Sequence, residues 1–262
     1  MTEDAATPPP HLERQLASPA YRLAALDQDF LLADAQRGLR FMLEYEKAEQ
    51  ALRAWGVRST VVVFGSARTR EDGPGRQAHW YAQARAFAHL CSREGGALDH
   101  NGGQRDNVIA TGGGPGIMEA ANRGASEAGA PSIGFNITLP HEQWPNRYTT
   151  PELTFRFHYF AMRKMHLAMR AKALVVFPGG FGTFDELFEI LTLRQTGKAP
   201  DMPVILFDEA YWRSCIRFEG LVEAGMISQR DLDLFCFAET AEQTWAALLA
   251  RGVTKPIEPK IT

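Results

Sequence analysis

Pro178-Gly179-Gly180-Phe181-Gly182-Thr183-Phe184-Asp185-Glu186 sets a glycine loop and a carboxylate side by side, and Arg163-Lys164 lies a short way upstream. Glycine lets a backbone approach a ligand closely, and the N–H groups that open a following helix present partial positive charge to an anion such as phosphate. Glu186 adds a carboxylate able to stabilise a developing cation or to orient water. Arg163 and Lys164 supply two cations suited to an anion clamp. Together these residues point to chemistry on a phosphorylated substrate as well as to binding.

Each part also has a plainer reading. Thr183-Phe184-Asp185-Glu186 fits a capping box, with Thr183 at the helix N-cap and Glu186 reaching back to it. Arg163 and Lys164 fit a solvated helix face. Phe184, Leu187, Phe188 and Leu191 fall at i, i+3, i+4 and i+7, which leaves Glu186 off the apolar stripe and free to face a cleft.

Two further glycine-rich stretches, Gly65-Ser66-Ala67-Arg68 and Gly112-Gly113-Gly114-Pro115-Gly116, also follow apolar runs. One such loop reads equally well as a tight strand-to-helix turn, with Pro115 in the first helical turn. Three at equivalent positions favour one converging nucleotide or polyanion site. The candidate substrate-binding residues are therefore Ser66, Arg68, Gly113, Gly114, Gly116, Lys164, Gly179, Gly180, Gly182 and Thr183. Arg68 also fits a solvated loop arginine, and Asn146 and Arg147 could reach the site or lie on a surface loop.

Other chemistries fit poorly. Ile117 stands where a dinucleotide motif places glycine, and no glycine loop runs on into Lys-Ser or Lys-Thr. Gly65-Ser66-Ala67 lacks the glycine pattern of a hydrolase elbow. The seven histidines are dispersed and no Cys/His or Asp/Glu cluster has ligand spacing, so no metal is expected.

The elements that must position these loops follow from the apolar patterning. Thr60–Phe64, Val108–Ala110, Ser132–Phe135, Leu174–Phe177 and Val204–Phe207 read as buried strands, with a further short one near Leu234-Phe235. Helical periodicity lies between most of them, near 76–94, 115–129, 159–171, 184–196, 209–225 and 240–251. This alternation predicts an α/β fold: a Rossmann-like doubly wound parallel sheet with helices on both faces, binding ligands beyond the carboxyl ends of the strands. The expected organisation is a flexible tail over 1–18 containing Pro8-Pro9-Pro10, an N-terminal helical extension of two helices over 19–56, and a nucleotide-binding catalytic domain over 57–255.

A length of 262 residues suits one large α/β domain with an appendage, and a net charge of −3 offers no broad basic field for nucleic acid or an anionic membrane. Cys91, Cys215 and Cys236 are scattered and odd in number, which fits a reducing compartment; Cys215 and Cys236 sit among apolar residues and read as buried thiols. The polar, acidic first thirty residues lack the pattern of a signal peptide, and no stretch reaches membrane-spanning length. A cytoplasmic protein is expected.

With these residues in view, the chain resembles the LOG (Lonely Guy) family of cytokinin-activating phosphoribohydrolases, once labelled lysine decarboxylases, over roughly residues 59–250. The family signature Pro-Gly-Gly-x-Gly-Thr-x-x-Glu is matched from Pro178 to Glu186, and its Arg-Lys pair at Arg163-Lys164. Gly112 to Glu119 looks like the family's second glycine loop in its longer bacterial form, and Gly65 to Arg68 like its first. Plant-type members place Met-His before the pair, whereas Phe160-Ala161-Met162 precedes it here.

The resemblance implies hydrolysis of the N-glycosidic bond of a purine nucleoside 5′-monophosphate, AMP or an N6-substituted AMP, to free base and ribose 5-phosphate. It implies Arg163 and Glu186 as the catalytic pair, a phosphate held by Gly179, Gly180, Gly182 and Thr183, no metal or organic cofactor, and a homodimer or larger homo-oligomer. The alternative is a non-catalytic nucleotide-binding or cofactor-carrier module of the same fold.

Overall fold

The computed structural model describes residues 9–98, 103–139 and 144–254. Residues 1–8 of the expected tail and residue 255, the expected end of the main domain, lie outside the described residues. The chain divides into two compact units, Met1–Glu46 and Lys47–Thr262.

The first unit consists of short helical pieces. A 3-10 turn at Pro10–Leu12 leads into α1 (Glu13–Leu16), and two further turns, Pro19–Tyr21 and Ala24–Leu26, precede α2 (Gln28–Leu32). The two helices expected over 19–56 are α2 and α3 (Arg37–Ala54), the latter running past Glu46 into the second unit, and polar side chains open the shorter turns before them. Ser18 Oγ accepts from the Ala20 amide at 3.3 Å, and Asp27 Oδ1 accepts from the Phe30 amide at 3.2 Å.

In the second unit strands and helices alternate: β1 (Thr60–Phe64), α4 (Gln77–Glu94), β2 (Val108–Thr111), α5 (Ile117–Glu127), β3 (Ser132–Ile137), β4 (Thr154–Phe157), α6 (Phe160–Met169), β5 (Ala171–Val176) and α7 (Phe181–Gln195). The series ends with β6 (Val204–Phe207), α8 (Glu209–Cys215), α9 (Phe218–Glu223), β7 (Phe235–Ala238) and α10 (Ala241–Ala250). The seven strands form one parallel sheet in the order β4-β3-β2-β1-β5-β6-β7.

Both faces of this sheet are covered, so its central strands are near-continuous apolar runs and not apolar at alternate positions only. All five residues of β1 are buried. Val61 and Val63 join Phe87 of α4, Ile117 of α5 and Trp245 of α10 in one core cluster. Val62 and Phe64 join Leu167 of α6, Leu187 of α7 and Trp212 of α8 in the other. Each such buried Val, Leu or Phe contributes about 1.5–3 kcal/mol relative to leaving it exposed.

The structure departs from the sequence reading at one strand, one helix and two cysteines outside the glycine loops. β4 was not expected: Thr154-Phe155-Arg156-Phe157 is a four-residue edge strand whose Phe155 and Phe157 are buried while Arg156 is exposed. The helix expected over 209–225 is two, broken where Ile216 takes extended backbone at φ −135° and ψ 122°. Cys215 is exposed at the end of α8 and Cys236 is half-buried on the edge strand β7, so only Cys91 is a fully enclosed thiol, its pKa pushed far up by burial.

Candidate functional site

The chain builds the sheet outward from β1 to β4, then returns to the other side of β1 with β5. The loops leaving β1 and β5 therefore diverge, and the crevice between them is where open α/β sheets bind ligands. Gly65 to Arg68 leaves β1, Pro178 to Gly180 leaves β5, and Gly112 to Gly116 leaves the neighbouring β2.

Backbone bonds stitch the three loops together. The Ser66 amide donates to the Pro178 carbonyl at 3.0 Å, and the Ile117 amide donates to the Ser66 carbonyl at 3.1 Å. This contact accounts for several of the glycines. Gly116 has φ +71°, and a Cβ there would lie 2.3 Å from the Ser66 oxygen. A Cβ on Gly179 would lie 2.1 Å from Thr183 Oγ1 and 2.9 Å from the Ser66 nitrogen. Gly180 and Gly182, by contrast, face open space. Those two leave room for a ligand; Gly116 and Gly179 let one loop touch the next.

The capping box expected at Thr183 to Glu186 is absent. Helix α7 opens earlier, at Phe181, with Gly180 as N-cap and no side-chain cap, and the Thr183 and Phe184 amides donate to the Gly180 carbonyl at 2.9 and 3.0 Å. Gly180, at φ −96° and ψ −153°, starts the helix three residues before Thr183. Glu186 is thus released from any capping task. It is buried, with 7% of its side chain exposed.

Its partner is Arg163 of α6, whose Nη2 donates to Glu186 Oε1 at 2.5 Å. The Arg163 side chain is 14% exposed, and its guanidinium lies 5.1 Å from the Phe160 ring centre, in cation–π range. Burial pushes the Glu186 carboxyl above its ordinary pKa, against the opposing charges of Arg163 and Lys164. Arg163 Nη1 lies 3.8 Å from where a Cβ on Gly112 would stand, so the pair borders the second glycine loop.

Lys164 takes a different direction from Arg163. Its Nζ lies 2.7 Å from Asp185 Oδ2 and 2.8 Å from Glu189 Oε2, both on α7. Burial pulls the ammonium pKa down, but the hydrogen bonds to Asp185 and Glu189 outweigh it and the net shift is upward. Arg68 is exposed and its guanidinium makes no bond among the described residues, while its amide donates to Ser66 Oγ at 3.0 Å.

The second glycine loop rests on a buried amide network that sequence reasoning missed. Thr111 Oγ1 accepts from the Gly113 amide at 2.9 Å and donates to Asn122 Oδ1 at 2.7 Å. Asn146 Nδ2 donates to the Gly114 carbonyl at 3.0 Å and to Asn122 Oδ1 at 2.9 Å, and the Asn146 amide donates to the Gly113 carbonyl at 2.8 Å. Asn146 is therefore the clasp of this loop, and Arg147 is exposed beside Tyr148. The signal was Asn122 in the middle of an otherwise small and apolar helix face, where an amide needs a partner.

Among the described residues no group of three or more His, Cys, Asp or Glu could hold a metal ion, and no helix is long and apolar enough to cross a membrane.

Comparison with known proteins agrees with this arrangement. Residues 118–248, half of the chain, match the family model described as "Possible lysine decarboxylase". Two cytokinin riboside 5′-monophosphate phosphoribohydrolases of Arabidopsis thaliana, LOG3 and LOG4, are each 30% identical over 142 residues, covering 52% of this chain and 64% of the relative. The match thus spans less than two thirds of those relatives' own length. The X-ray structure of TM1055 superposes with a TM-score of 0.53 at 21% identity, over 73% of this chain and 99% of that one, and shares the fold.

Proposed function

Because the chain belongs to the LOG family, the group first described as possible lysine decarboxylases, we propose that it is a nucleoside 5′-monophosphate phosphoribohydrolase. The substrate is AMP or an N6-substituted AMP such as a cytokinin nucleotide, and the products are free base and ribose 5-phosphate. The buried Arg163–Glu186 pair beside the opening of α7 carries this reading.

The chemistry follows from placement. The Gly180, Phe181 and Gly182 amides at the opening of α7 have no intrahelical acceptor, and with Gly180 and Gly182 leaving room beside them they suit a 5′-phosphate. Cleaving the glycosidic bond builds positive charge on the ribose, which an ionised Glu186 stabilises while it orients the attacking water. Arg163 keeps that carboxylate charged and aimed, and neutralises the phosphate or assists the departing base. Holding the non-reacting phosphate fixes the sugar for reaction, so an unphosphorylated nucleoside is a poor substrate.

The older label fits these residues badly. A lysine that forms a Schiff base must be available as the free amine. Lys164 is instead held as an ammonium between Asp185 and Glu189, and Lys172 is exposed on β5.

The reading extends to a cytoplasmic enzyme active without metal or organic cofactor and assembled as at least a homodimer, with a main domain over 57–255. Chromatography of purified protein incubated with AMP, isopentenyl-AMP and adenosine tests it. Base is expected from the nucleotides and little from adenosine; nucleotide binding without base release would leave the carrier module instead. Sedimentation velocity tests the assembly.

A further inference from the structure

Tyr211 of α8 donates its phenolic hydroxyl to the Gly179 carbonyl at 2.6 Å. Gly179 immediately precedes the N-cap of α7, so this contact lands on the peptide that joins Gly179 to Gly180. A trans peptide is planar, with its C=O and N–H pointing opposite ways. A carbonyl held toward Tyr211 therefore sends the Gly180 N–H away from the Tyr211 hydroxyl, at the start of α7.

Tyr211 is itself tightly placed. Asp208 caps α8: its Oδ1 accepts from the Tyr211 amide at 3.0 Å. Its Oδ2 accepts from Trp80 Nε1 at 2.7 Å and lies 2.8 Å from Arg76 Nη1, so this fully buried carboxylate is satisfied on both oxygens. Asp208 also sits at φ +72°, a conformation that residues other than glycine seldom adopt and that persists only where the surroundings impose it. The Trp80 and Trp212 rings meet the Tyr211 ring edge-on at 5.6 and 5.3 Å. Helices α4 and α8 and a strained cap thus aim one hydroxyl at one carbonyl. Burial, with Cys215 alongside, pushes that hydroxyl's pKa up to about 12, so it remains a donor at any working pH.

We propose that Tyr211 is a positioning residue: by holding the Gly179 carbonyl it orients the Gly180 N–H for a phosphate group and sets the loop's affinity for that group. This rests on the phosphate-binding half of the proposed function and is independent of whether the base is cleaved.

The test is calorimetric titration of wild type and Tyr211→Phe with ribose 5-phosphate and, separately, with adenine, beside thermal melts. Loss of one hydrogen bond that orients a donor is expected to weaken ribose 5-phosphate about tenfold. Adenine affinity should hold and the melting temperature should move by only a few degrees. Unchanged ribose 5-phosphate affinity overturns the proposal, and so does an equal loss for both ligands, which would mean general loosening. Titrating 15N-glycine-labelled wild type with inorganic phosphate gives a readout free of any folding defect: the Gly180 amide resonance should move, and a static one overturns the proposal. Wild type that binds ribose 5-phosphate and releases no base from any nucleotide sinks the hydrolase reading while the Tyr211 comparison still stands or falls on its own affinities. Wild type that binds neither phosphate ligand overturns both.

Discussion

Arg163 Nη2 and Glu186 Oε1 meet at 2.5 Å across 23 residues of sequence. Arg163 arrives on α6, which follows the edge strand β4, and Glu186 on α7, which follows the central strand β5. The β1–β5 crevice brings the two helices together, and the bond crosses from one to the other. A charge pair removed from water in this way is costly to break from one side, because the partner is left buried and unpaired. It is therefore a place where a single substitution separates charge from shape.

Glu186→Gln keeps the volume and one acceptor for Arg163 while removing the negative charge. Base release should fall about 100-fold or more through kcat, with KM for the nucleotide little changed, since the charge is needed in the transition state. Steady-state kinetics beside a thermal melt checks this. A folded variant with wild-type kcat removes Glu186 from the chemistry.

The raised pKa of Glu186 gives activity and stability opposite pH slopes. Activity requires the carboxylate, so kcat/KM should show an acid limb above the ordinary value of 4.5, and Glu186→Gln should lack that limb. For stability the sign reverses: the folded state holds this proton more tightly than the unfolded chain does. The contribution is full below 4.5 and is lost as pH rises through the raised folded value. The melting temperature of wild type relative to Glu186→Gln should accordingly fall across that window. Arg163→Ala, which strips the opposing charge, should move the acid limb further up and cost about 3 kcal/mol of stability.

These expectations draw unevenly on what the sequence made legible. Thr60–Phe64 and Val204–Phe207 were readable as strands because a strand buried on both faces is a near-continuous apolar run, and the pairing of Arg163 with Glu186 was what the resemblance to the LOG family implied. β4 was not readable: four residues with Arg156 among them give too short an alternation to stand out from a loop. The Thr183 capping box failed because Thr-x-x-Glu does not reveal that Gly180 has already started the helix. The bonds that Asn146 and Tyr211 make stayed hidden for a different reason. Each acts on a backbone carbonyl more than thirty residues away, through contacts that only the sheet order creates.

Asn146→Ala tests one of those long-range contacts. The substitution leaves the backbone bond to Gly113 but deprives the Gly114 carbonyl and Asn122 Oδ1 of a donor in a buried network. A loss of about 1–3 kcal/mol in urea unfolding is expected, with an unchanged m-value, together with a raised KM for the nucleotide as the second glycine loop loosens. Unaltered stability would show that the clasp is dispensable.

Gly179 and Gly182 belong to the same motif, yet alanine should separate them sharply. At Gly179 the new methyl would meet Thr183 Oγ1 at 2.1 Å and the Ser66 backbone nitrogen at 2.9 Å. The threonine side chain could turn away, but the Ser66 backbone is pinned by its own bond to Pro178, so the first and third loops must part. At Gly182 nothing lies within 4 Å, and the residue is already helical, where alanine is favoured over glycine by about 0.5–1 kcal/mol. Gly179→Ala should therefore lower the melting temperature and abolish nucleotide binding, whereas Gly182→Ala should melt at or slightly above wild type. Equal melting temperatures for the two variants would mean that the Gly179 backbone is not gripped between Ser66 and Thr183, and the close stitching of the loops across the β1–β5 crevice would be wrong.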